Sequence, residues 1–323
     1  MKWLHSVFAI ALLLTCSGAA LSQNYPAKPV RIMVGYTPGG GVDTTARMVG
    51  QALGELWGTP VIIENRPGAA GNVATEYTAK APPDGYTLVL CNIGSHAVTP
   101  ARFRGKLSYD PIRDFAFPSM IGGVPNVLMV HPSMPTKTLR QYIAYAKANP
   151  GKVNFGSSGV GASPHLSIEL LKTITGIDIV HVPYKGAGGA LTDLISGHIE
   201  SSVGNLAGAP LAAVKSGRVR ALGVTAARRN AQLPEVPTFA EGGVPGYDVT
   251  GWYGICTQSK VPQPILAKLT ADLHKVLAGP LKKRLEDEGI DVTPSTPAQF
   301  AAHAKSEIEK WTKVVIAAKL EAD

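Results

Sequence analysis

Residues 115–131 read FAFPSMIGGVPNVLMVH, and this stretch decides the fold. It is apolar along its length, as a buried strand is, but Gly122, Gly123 and Pro125 interrupt it near the middle. Proline cannot donate to a sheet, and glycine weakens a strand interior. We therefore interpret the stretch as one strand that leaves a first sheet and enters a second, which makes it a hinge between two domains.

On the N-terminal side of this hinge, strand-like apolar runs alternate with helical periods. Strands are predicted over 30–34, 61–64 and 87–91, and helices over 44–57 and 73–80. This alternation is typical of a parallel α/β sheet. The first domain is therefore predicted to be α/β.

The same pattern restarts at Leu128. Thr138 with Gln141 predicts a capping box at a helix start, and strands are predicted over 153–155 and 219–224. After a segment rich in proline and glycine, residues 251–256 predict a strand that returns to the first domain, and helices close the chain.

These elements predict two α/β domains joined by crossing hinge strands. The first domain is discontinuous, with residues 23–122 and 237–323, and the second comprises residues 123–236. A domain that is left and re-entered needs at least two crossings, and such a geometry permits hinge closure over a cleft.

Residues 1–22 have the pattern of a secretory signal peptide. Lys2 precedes an apolar run over 7–14, and small residues lead to Ser22. The run is too short to span a bilayer. A lipoprotein signal ending at Cys16 is the alternative, but Thr15 is bulkier than the residue usual before such a cysteine. We predict cleavage after Ser22 and a soluble periplasmic chain.

The charge pattern argues against a nucleic-acid partner. The formal net charge is +8, but only 17% of the residues are charged and the cations are scattered. The densest basic cluster, Lys282 to Arg284, is followed at once by acidic residues, so it reads as a solvated helix face. A nucleic-acid site shows a basic stripe instead. A mild positive excess does favour anionic solutes.

Two cysteines follow the predicted cleavage site, Cys91 and Cys256, both within strand-like segments. A disulfide is possible in an oxidising compartment. Buried free thiols are an equal alternative, and the residues alone do not decide between them.

Three glycine-rich turns between strand and helix carry the functional signal. Free N–H groups and the positive end of a helix dipole make such turns anion sites. In the first turn, residues 35–43, Gly39 and Gly40 let the backbone approach a ligand, Tyr36 can stack on a solute or hydrogen-bond to it, and Asp43 is placed to cap the helix.

The second turn spans residues 156–164 and the third residues 181–189. In the second, Ser163 is predicted as N-cap and Pro164 as the first helical residue. Its hydroxyls and amides can hold a carboxylate without an arginine. The third turn adds Tyr184 and Lys185 to its glycines. Ordinary turns without a ligand are the alternative for each.

Known enzyme motifs with similar glycines do not match. Lys185-Gly186 reverses the order that a phosphate-binding P-loop needs, and the glycine spacing of a dinucleotide fingerprint is missing. The sequence has no Gly-x-Ser-x-Gly elbow. Its histidines lack paired metal-ligand spacing. We predict no enzymatic activity, no metal and no cofactor.

The residues collectively resemble the substrate-binding proteins of tripartite tricarboxylate transporters, also called Bug receptors. The resemblance covers nearly the whole mature chain. The matching stretches are 25–32, 39–43, 65–71, 83–88, 157–166, 181–186, 222–225, 233–238 and 246–254. It implies a two-domain Venus-flytrap fold that binds small carboxylates, such as di- and tricarboxylates or aromatic acids, and delivers them to integral-membrane transporter subunits.

The resemblance also implies which residues hold the ligand, through loop amides, hydroxyls and bridging water. These residues are Tyr36, Gly39, Gly40, Ser157, Gly159, Ala162, Ser163, Tyr184 and Lys185. Relatives often carry an aspartate that we align with Gly204, so a ligand ammonium loses its partner and Asn205 is expected to contact the ligand instead. We expect a monomer. A sensor that signals to a membrane histidine kinase is the alternative function.

Overall fold

The computed structural model describes residues 25–317 of the 323-residue chain. The predicted signal peptide and its cleavage site lie outside the described residues. Within residues 25–317, no helix combines the length and the apolar character needed to cross a bilayer.

Ten strands and ten α-helices alternate along this part of the chain. The strands are β1 (Val30–Val34), β2 (Val61–Asn65), β3 (Thr87–Asn92), β4 (Phe115–Val130), β5 (Asn154–Ser157), β6 (Val180–Pro183), β7 (Ser201–Asn205), β8 (Arg220–Val224), β9 (Thr250–Gln258) and β10 (Asp291–Val292). The helices are α1 (Gly41–Trp57), α2 (Asn72–Ala79), α3 (Thr99–Arg102), α4 (Leu139–Ala148), α5 (Ser163–Thr175), α6 (Ala187–Ile195), α7 (Ala209–Lys215), α8 (Gln263–Ala278), α9 (Pro280–Asp287) and α10 (Pro297–Ala317).

The strands form two sheets that share β4. The first sheet has the order β2-β1-β3-β9-β4, with β1 parallel to both its neighbours and β9 antiparallel to β3. In the second sheet β4 lies between β7 and β8, both antiparallel to it, and β5 lies parallel between β7 and β6.

Strand β4 confirms the predicted passage from one sheet to the other. Its residues up to Pro125 pair with β9, and those from Asn126 onward pair with β7 and β8. The glycine at 122 is required because a Cβ there would lie 2.1 Å from the carbonyl oxygen of Asp291 on β10. Strand β9 pairs with β3 and β4 and so confirms the predicted return.

The segment between β8 and β9 contacts the second sheet. Thr238 forms a bridge with Val224 of β8, and the hydroxyl of Tyr247 donates to the carbonyl of Ser167 on α5. The boundary between residues 236 and 237 stays a prediction, and these contacts favour placing it nearer to Val249.

Cys91 and Cys256 form a disulfide between neighbouring strands of the first sheet, with their Cα atoms 5.9 Å apart. Both residues are fully buried. The structure thus decides between the two alternatives that the sequence left open for these cysteines.

Candidate functional site

The three glycine-rich turns lie at the carboxyl ends of β1, β5 and β6, where α1, α5 and α6 begin. The first and third turns touch across the gap between the sheets. The N–H of Thr37 donates to the carbonyl of Lys185 at 3.2 Å. A Cβ on Gly40 would lie 3.4 Å from that of Ala187. The turns therefore form facing walls of one cleft.

A cavity of about 410 Å³ lies in this cleft. Two of its lining residues are cations, Arg102 at the end of α3 and Lys185, and none of the described residues that line it is acidic. The lining residues are Gly35, Tyr36, Gly68, Ala69, Ala70, Arg102, Phe103, Ser158, Gly159, Val160, Pro183, Tyr184 and Lys185. Its electrostatic character suits an anion.

A second, much smaller cavity of about 10 Å³ shares Tyr36 and Ser158 with the first. This is about the volume that one water molecule needs. Its lining residues are Tyr36, Val42, Asn92, Ile93, Ser158, Ala162, Ser163, Pro164, Asn205, Gly251, Trp252 and Tyr253. We call it the inner cavity.

The structure brings most of the predicted binding residues to these two cavities. Tyr36 lines both, whereas Gly159, Tyr184 and Lys185 line the larger one, and Ala162, Ser163 and Asn205 line the inner one. The other three, Gly39, Gly40 and Ser157, line neither cavity.

The hydroxyls of both predicted tyrosines bond to protein groups. The hydroxyl of Tyr36 donates to the carbonyl of Ala70 at 2.7 Å, and burial raises its pKa. The hydroxyl of Tyr184 donates to a carboxylate oxygen of Asp193 at 2.5 Å, and burial together with that carboxylate raises its pKa to about 12. Because both hydroxyl protons are engaged, neither tyrosine has a free hydroxyl donor for a ligand.

The capping predictions for two of these helices were wrong. Ala162 is the N-cap of α5 and Ser163 is its first residue, so the Ser163 hydroxyl does not cap the helix. Gly40 is the N-cap of α1, and the Asp43 carboxylate instead accepts the N–H of Gly39 at 3.1 Å. Burial raises the pKa of Asp43, but hydrogen bonds from Arg47, Asn65 and Gly39 outweigh this effect and lower it.

Asn126 organises the inner cavity, although its sequence context did not single it out. Its Oδ1 accepts from the hydroxyl of Ser163 at 3.1 Å and from Nδ2 of Asn205 at 2.8 Å. Its Nδ2 donates to Ser167 at 2.8 Å. Asn126 is fully buried at the point where β4 enters the second sheet. The hinge strand is therefore bonded directly to the polar wall of the cleft.

Asn205, not Gly204, is the residue of β7 that faces the cleft. A Cβ on Gly204 would lie 3.4 Å from Pro210 and 3.6 Å from Met129, on the apolar side of the strand. Because side chains alternate along a strand, the next residue faces the opposite way. The alignment of the family aspartate with Gly204 stays a prediction, and the position of β7 that faces the cleft holds the neutral amide of Asn205.

A fourth loop, residues 68–71, also lines the cavity and was not predicted as part of the site. Ala69 and Ala70 have φ angles of 46° and 54°, which non-glycine residues adopt at a cost of about 1–3 kcal/mol. The Tyr36 hydroxyl bonds to this loop. These residues belong to the stretch 65–71 that carries the family resemblance, and they lead into α2, but the sequence analysis did not interpret them as an anion site.

One buried polar atom beside the cleft, Tyr253 Oη, has no hydrogen-bond partner among the described residues. Tyr253 lines the inner cavity. Buried polar groups normally have partners, so a ligand or water atom in the inner cavity would complete this bond.

One set of potential metal ligands lies together within residues 25–317, Cys91, His96 and Cys256. Both sulfur atoms are joined in the disulfide. Zinc and similar ions bind the thiolate form of cysteine, so this cluster does not offer a metal site.

Two α/β domains joined by crossing strands, with a cleft between them walled by helix N-termini, define a solute receptor of the periplasmic binding protein class. Within this class, the chain belongs to the tripartite tricarboxylate transporter family of receptors (TctC), whose pattern matches residues 45–320. The predicted family and fold class are confirmed.

Relatives cover nearly the whole chain. It is 32% identical to protein BugT of Bordetella pertussis, over 98% of both chains. The structure of Rpa4515 from R. palustris with adipate is 35% identical, has a TM-score of 0.88, and covers 91% of this chain and 98% of its own. MatC of Rhodopseudomonas palustris with bound malate is 31% identical, with a TM-score of 0.83, and covers 90% of this chain and 100% of its own.

Proposed function

We propose that this receptor captures a small carboxylate in the cavity between its domains and delivers it to a tripartite tricarboxylate-type membrane transporter, without catalysing a reaction. The observation that carries the proposal is the cavity of about 410 Å³ in the cleft, which is lined by Arg102 and Lys185 and by no acidic residue among those described. The similar proteins Rpa4515 and MatC hold adipate and malate.

The geometry supports a specific orientation of the ligand. One carboxylate would lie toward the inner cavity, at the N-terminus of the 13-residue helix α5, where Ser158, Ala162 and Ser163 line the wall. Free N–H groups there and the helix dipole favour an anion. A second carboxylate would lie near Arg102. Burial lowers the pKa of Arg102, and an adjacent anion would favour its charged form.

This orientation favours acids without an ammonium group. Among the described residues, neither cavity is lined by a carboxylate that could pair with an ammonium, and Asn205 stands at the cleft position of β7. Aliphatic dicarboxylates fit both ends of the site, whereas aspartate and glutamate would bury an unpaired cation.

Thermal melts of the purified mature protein test the proposal. The panel contains adipate, malate, benzoate, glutamate and, as a matched monocarboxylate, hexanoate. A ligand at about a hundred times its Kd adds about 2.7 kcal/mol of stability, so a rise in Tm is expected with at least one dicarboxylate. The absence of any shift at millimolar concentration would contradict the proposal.

Arg102→Ala tests the orientation. We expect the affinity for adipate to fall more than that for hexanoate, because only adipate has a second carboxylate. Equal losses for the two acids would contradict a role for Arg102 in binding the distal group.

Uptake by intact cells tests delivery. Deletion of the gene should abolish uptake of the radiolabelled acid that stabilises the protein. Normal uptake combined with loss of a transcriptional response to that acid would instead support the sensor alternative. We also propose a monomeric receptor, which sedimentation of the purified protein would test.

A further inference from the structure

Three aromatic rings form a continuous stack behind the second glycine turn. The ring of Phe155 on β5 stacks on that of His181 on β6 with 4.8 Å between centroids. His181 in turn stacks on His165 of α5 at 4.1 Å, with 22° between the planes. None of the three lines the ligand cavities. The stack therefore lies outside the site proposed above but directly supports one of its walls.

The two histidines bond to the backbone and the serine that shape this turn. Nδ1 of His165 accepts the N–H of Gly161 at 3.1 Å. Nε2 of His181 lies 2.7 Å from the hydroxyl of Ser157, which accepts the N–H of Gly159 at 3.2 Å. Each ring thus fixes one of two glycine amides, directly or through one serine.

The turn that carries these amides has a backbone conformation that only glycine adopts readily. Gly159 and Gly161 have φ angles of 128° and 84°. Val160 lies between these two glycines, and Gly159 and Val160 both line the larger cavity. Ser157 is fully buried, and its hydroxyl is engaged with His181 and Gly159. Its place near the site is therefore explained by support of the turn and not by ligand contact.

His165 can perform this role only as a neutral ring. Nδ1 must carry no proton to accept the N–H of Gly161, so the proton lies on Nε2, which is 3.7 Å from Glu169. The other charged or titratable groups that face His165 are Lys172 of the same helix, His181 of β6 and Arg102 of α3.

The surroundings keep both rings neutral. Burial, with smaller contributions from His181, Arg102 and Lys172, lowers the pKa of His165 to about 3. Burial and Lys172 lower the pKa of His181 to about 4. The two rings are therefore uncharged at neutral pH, and strong acid would place like charges on stacked neighbours.

We propose that His165 and His181 are positioning residues that hold residues 157–163 in the ligand-binding conformation, His165 through its unprotonated Nδ1 and His181 through its bond to Ser157. The proposal rests on the carboxylate-binding function proposed above for the adjoining cavity. It assigns to this pair a role in affinity although neither ring touches the ligand.

The first test needs no ligand. His165→Asn replaces Nδ1 by Oδ1, an acceptor at nearly the same place that does not titrate, whereas His165→Leu removes the acceptor. Hydrogen exchange of the Gly161 amide is measured by NMR for both variants and the wild type, with circular dichroism as a check on folding. We expect exchange about tenfold faster in the Leu variant, the effect of losing about one hydrogen bond, and within about threefold of wild type in the Asn variant. Unchanged exchange in the Leu variant would overturn the proposal.

The second test measures affinity for adipate, or for whichever panel acid stabilises the wild type. The Leu variant should bind about tenfold more weakly, and the Asn variant should retain most of the affinity. On lowering the pH from 7 to 4, the wild type and His165→Asn should lose affinity to a similar extent, because His165 has a pKa of about 3 and stays mostly neutral in this range. A clearly larger loss in the wild type would show that His165 takes up a proton there and would contradict the neutral ring.

His181 has its own matched pair. His181→Gln can still reach the Ser157 hydroxyl, whereas His181→Phe keeps the ring stack and loses the bond. Faster exchange of the Gly159 amide in the Phe variant than in the Gln variant is expected, and the reverse order would overturn the role of His181. If the wild type binds no acid of the panel, the proposed function fails, while the exchange measurements still decide whether the histidines hold the turn.

Discussion

The backbone N–H of Thr37 donates to the carbonyl of Lys185 at 3.2 Å and links the first and third glycine turns across the cleft. The two residues follow β1 and β6, and these strands belong to different sheets. Gly186 makes this approach possible, because a Cβ there would lie 2.2 Å from the hydroxyl oxygen of Thr37. Closure of the cleft thus depends on a glycine that lines neither cavity.

Gly186→Ala should impair closure. The φ angle of 161° is extended and available to alanine, so the expected effect comes from the contact with Thr37 alone. We expect a loss of ligand affinity of at least about tenfold, with little change in the free energy of unfolding. Gly279→Ala is the matched control, since its Cβ would have no neighbour closer than 3.5 Å. Titration calorimetry measures the affinity, and equal affinities in the two variants would contradict the prediction.

Glu288 forms a second bond between the domains. Its Oε2 accepts the N–H of Gly208, the N-cap of α7, at 2.9 Å. Glu288→Ala should weaken ligand binding about ten- to a hundredfold, because a hydrogen bond to a charged group is lost in the closed form. Glu286→Ala in α9, at an exposed residue that forms an ion pair with Lys282, should leave the affinity unchanged. Small-angle scattering with saturating ligand should show a larger radius of gyration for Glu288→Ala than for the control.

Asn126→Asp should weaken binding with little change in shape. The substitution keeps an acceptor for Ser163 and Asn205 but replaces the Nδ2 donor to Ser167 by an oxygen and introduces a buried negative charge next to the inner cavity. A carboxylate ligand would be repelled, so we expect an affinity loss of at least about tenfold and a destabilisation of about 1–3 kcal/mol. Unchanged affinity would show that Asn126 does not support the residues that line the inner cavity.

Reduction of the disulfide should destabilise the first sheet. Cys91 and Cys256 are separated by 165 residues, so the bond strongly restricts the unfolded chain. Replacement of both cysteines by alanine should lower the free energy of unfolding by about 2–5 kcal/mol. Urea denaturation of the variant and of the wild type, with and without a reductant, measures this loss. A midpoint that does not respond to the reductant would show that the bond contributes nothing.

Buried histidines should make the fold sensitive to acid. Burial lowers the pKa of His96 to about 3, well below its ordinary value of 6.5. The unfolded chain takes up the proton first as the pH falls, so stability is full above about pH 6.5 and is lost progressively below it. The loss is about 1.4 kcal/mol per pH unit for one such group.

The variant His96→Gln isolates this contribution. Between pH 6.5 and 5, the slope of unfolding free energy against pH should be smaller than in the wild type by about 1.4 kcal/mol per unit. Chemical denaturation at several pH values measures the slope. Equal slopes would show that the native protein takes up a proton at His96 in this range.

Local sequence patterns predicted most of the fold. The hinge strand, the return strand and the helix that begins after Thr138 were predicted from apolar runs, glycine, proline and a capping pair, and Thr138 does accept the N–H of Gln141. Capping at Ser163 and Asp43 was placed wrongly because serine, proline and aspartate are also favourable one to three residues inside a helix. The period of a pattern locates an element more reliably than its first residue.

The site residues differed in whether the local sequence could predict them. The glycine turns were identified from sequence because close backbone approach and positive φ restrict the residue type locally. Arg102 was missed because no local rule distinguishes an arginine that faces a cleft from one that faces solvent. Asn126 and the loop 68–71 were missed because their contacts, to Ser163 and Asn205 and to Tyr36, join residues far apart in the chain.

The sequence by itself determined two α/β units, a strand that crosses between them and three turns suited to an anion, since each depends on residues close together in the chain. Only the tertiary structure decided that Cys91 is bonded to Cys256, that Asn205 and not Gly204 faces the cleft, and that two neutral histidines support the second turn. These features join residues from separate strands and helices, and their contacts exist only after the sheets have assembled.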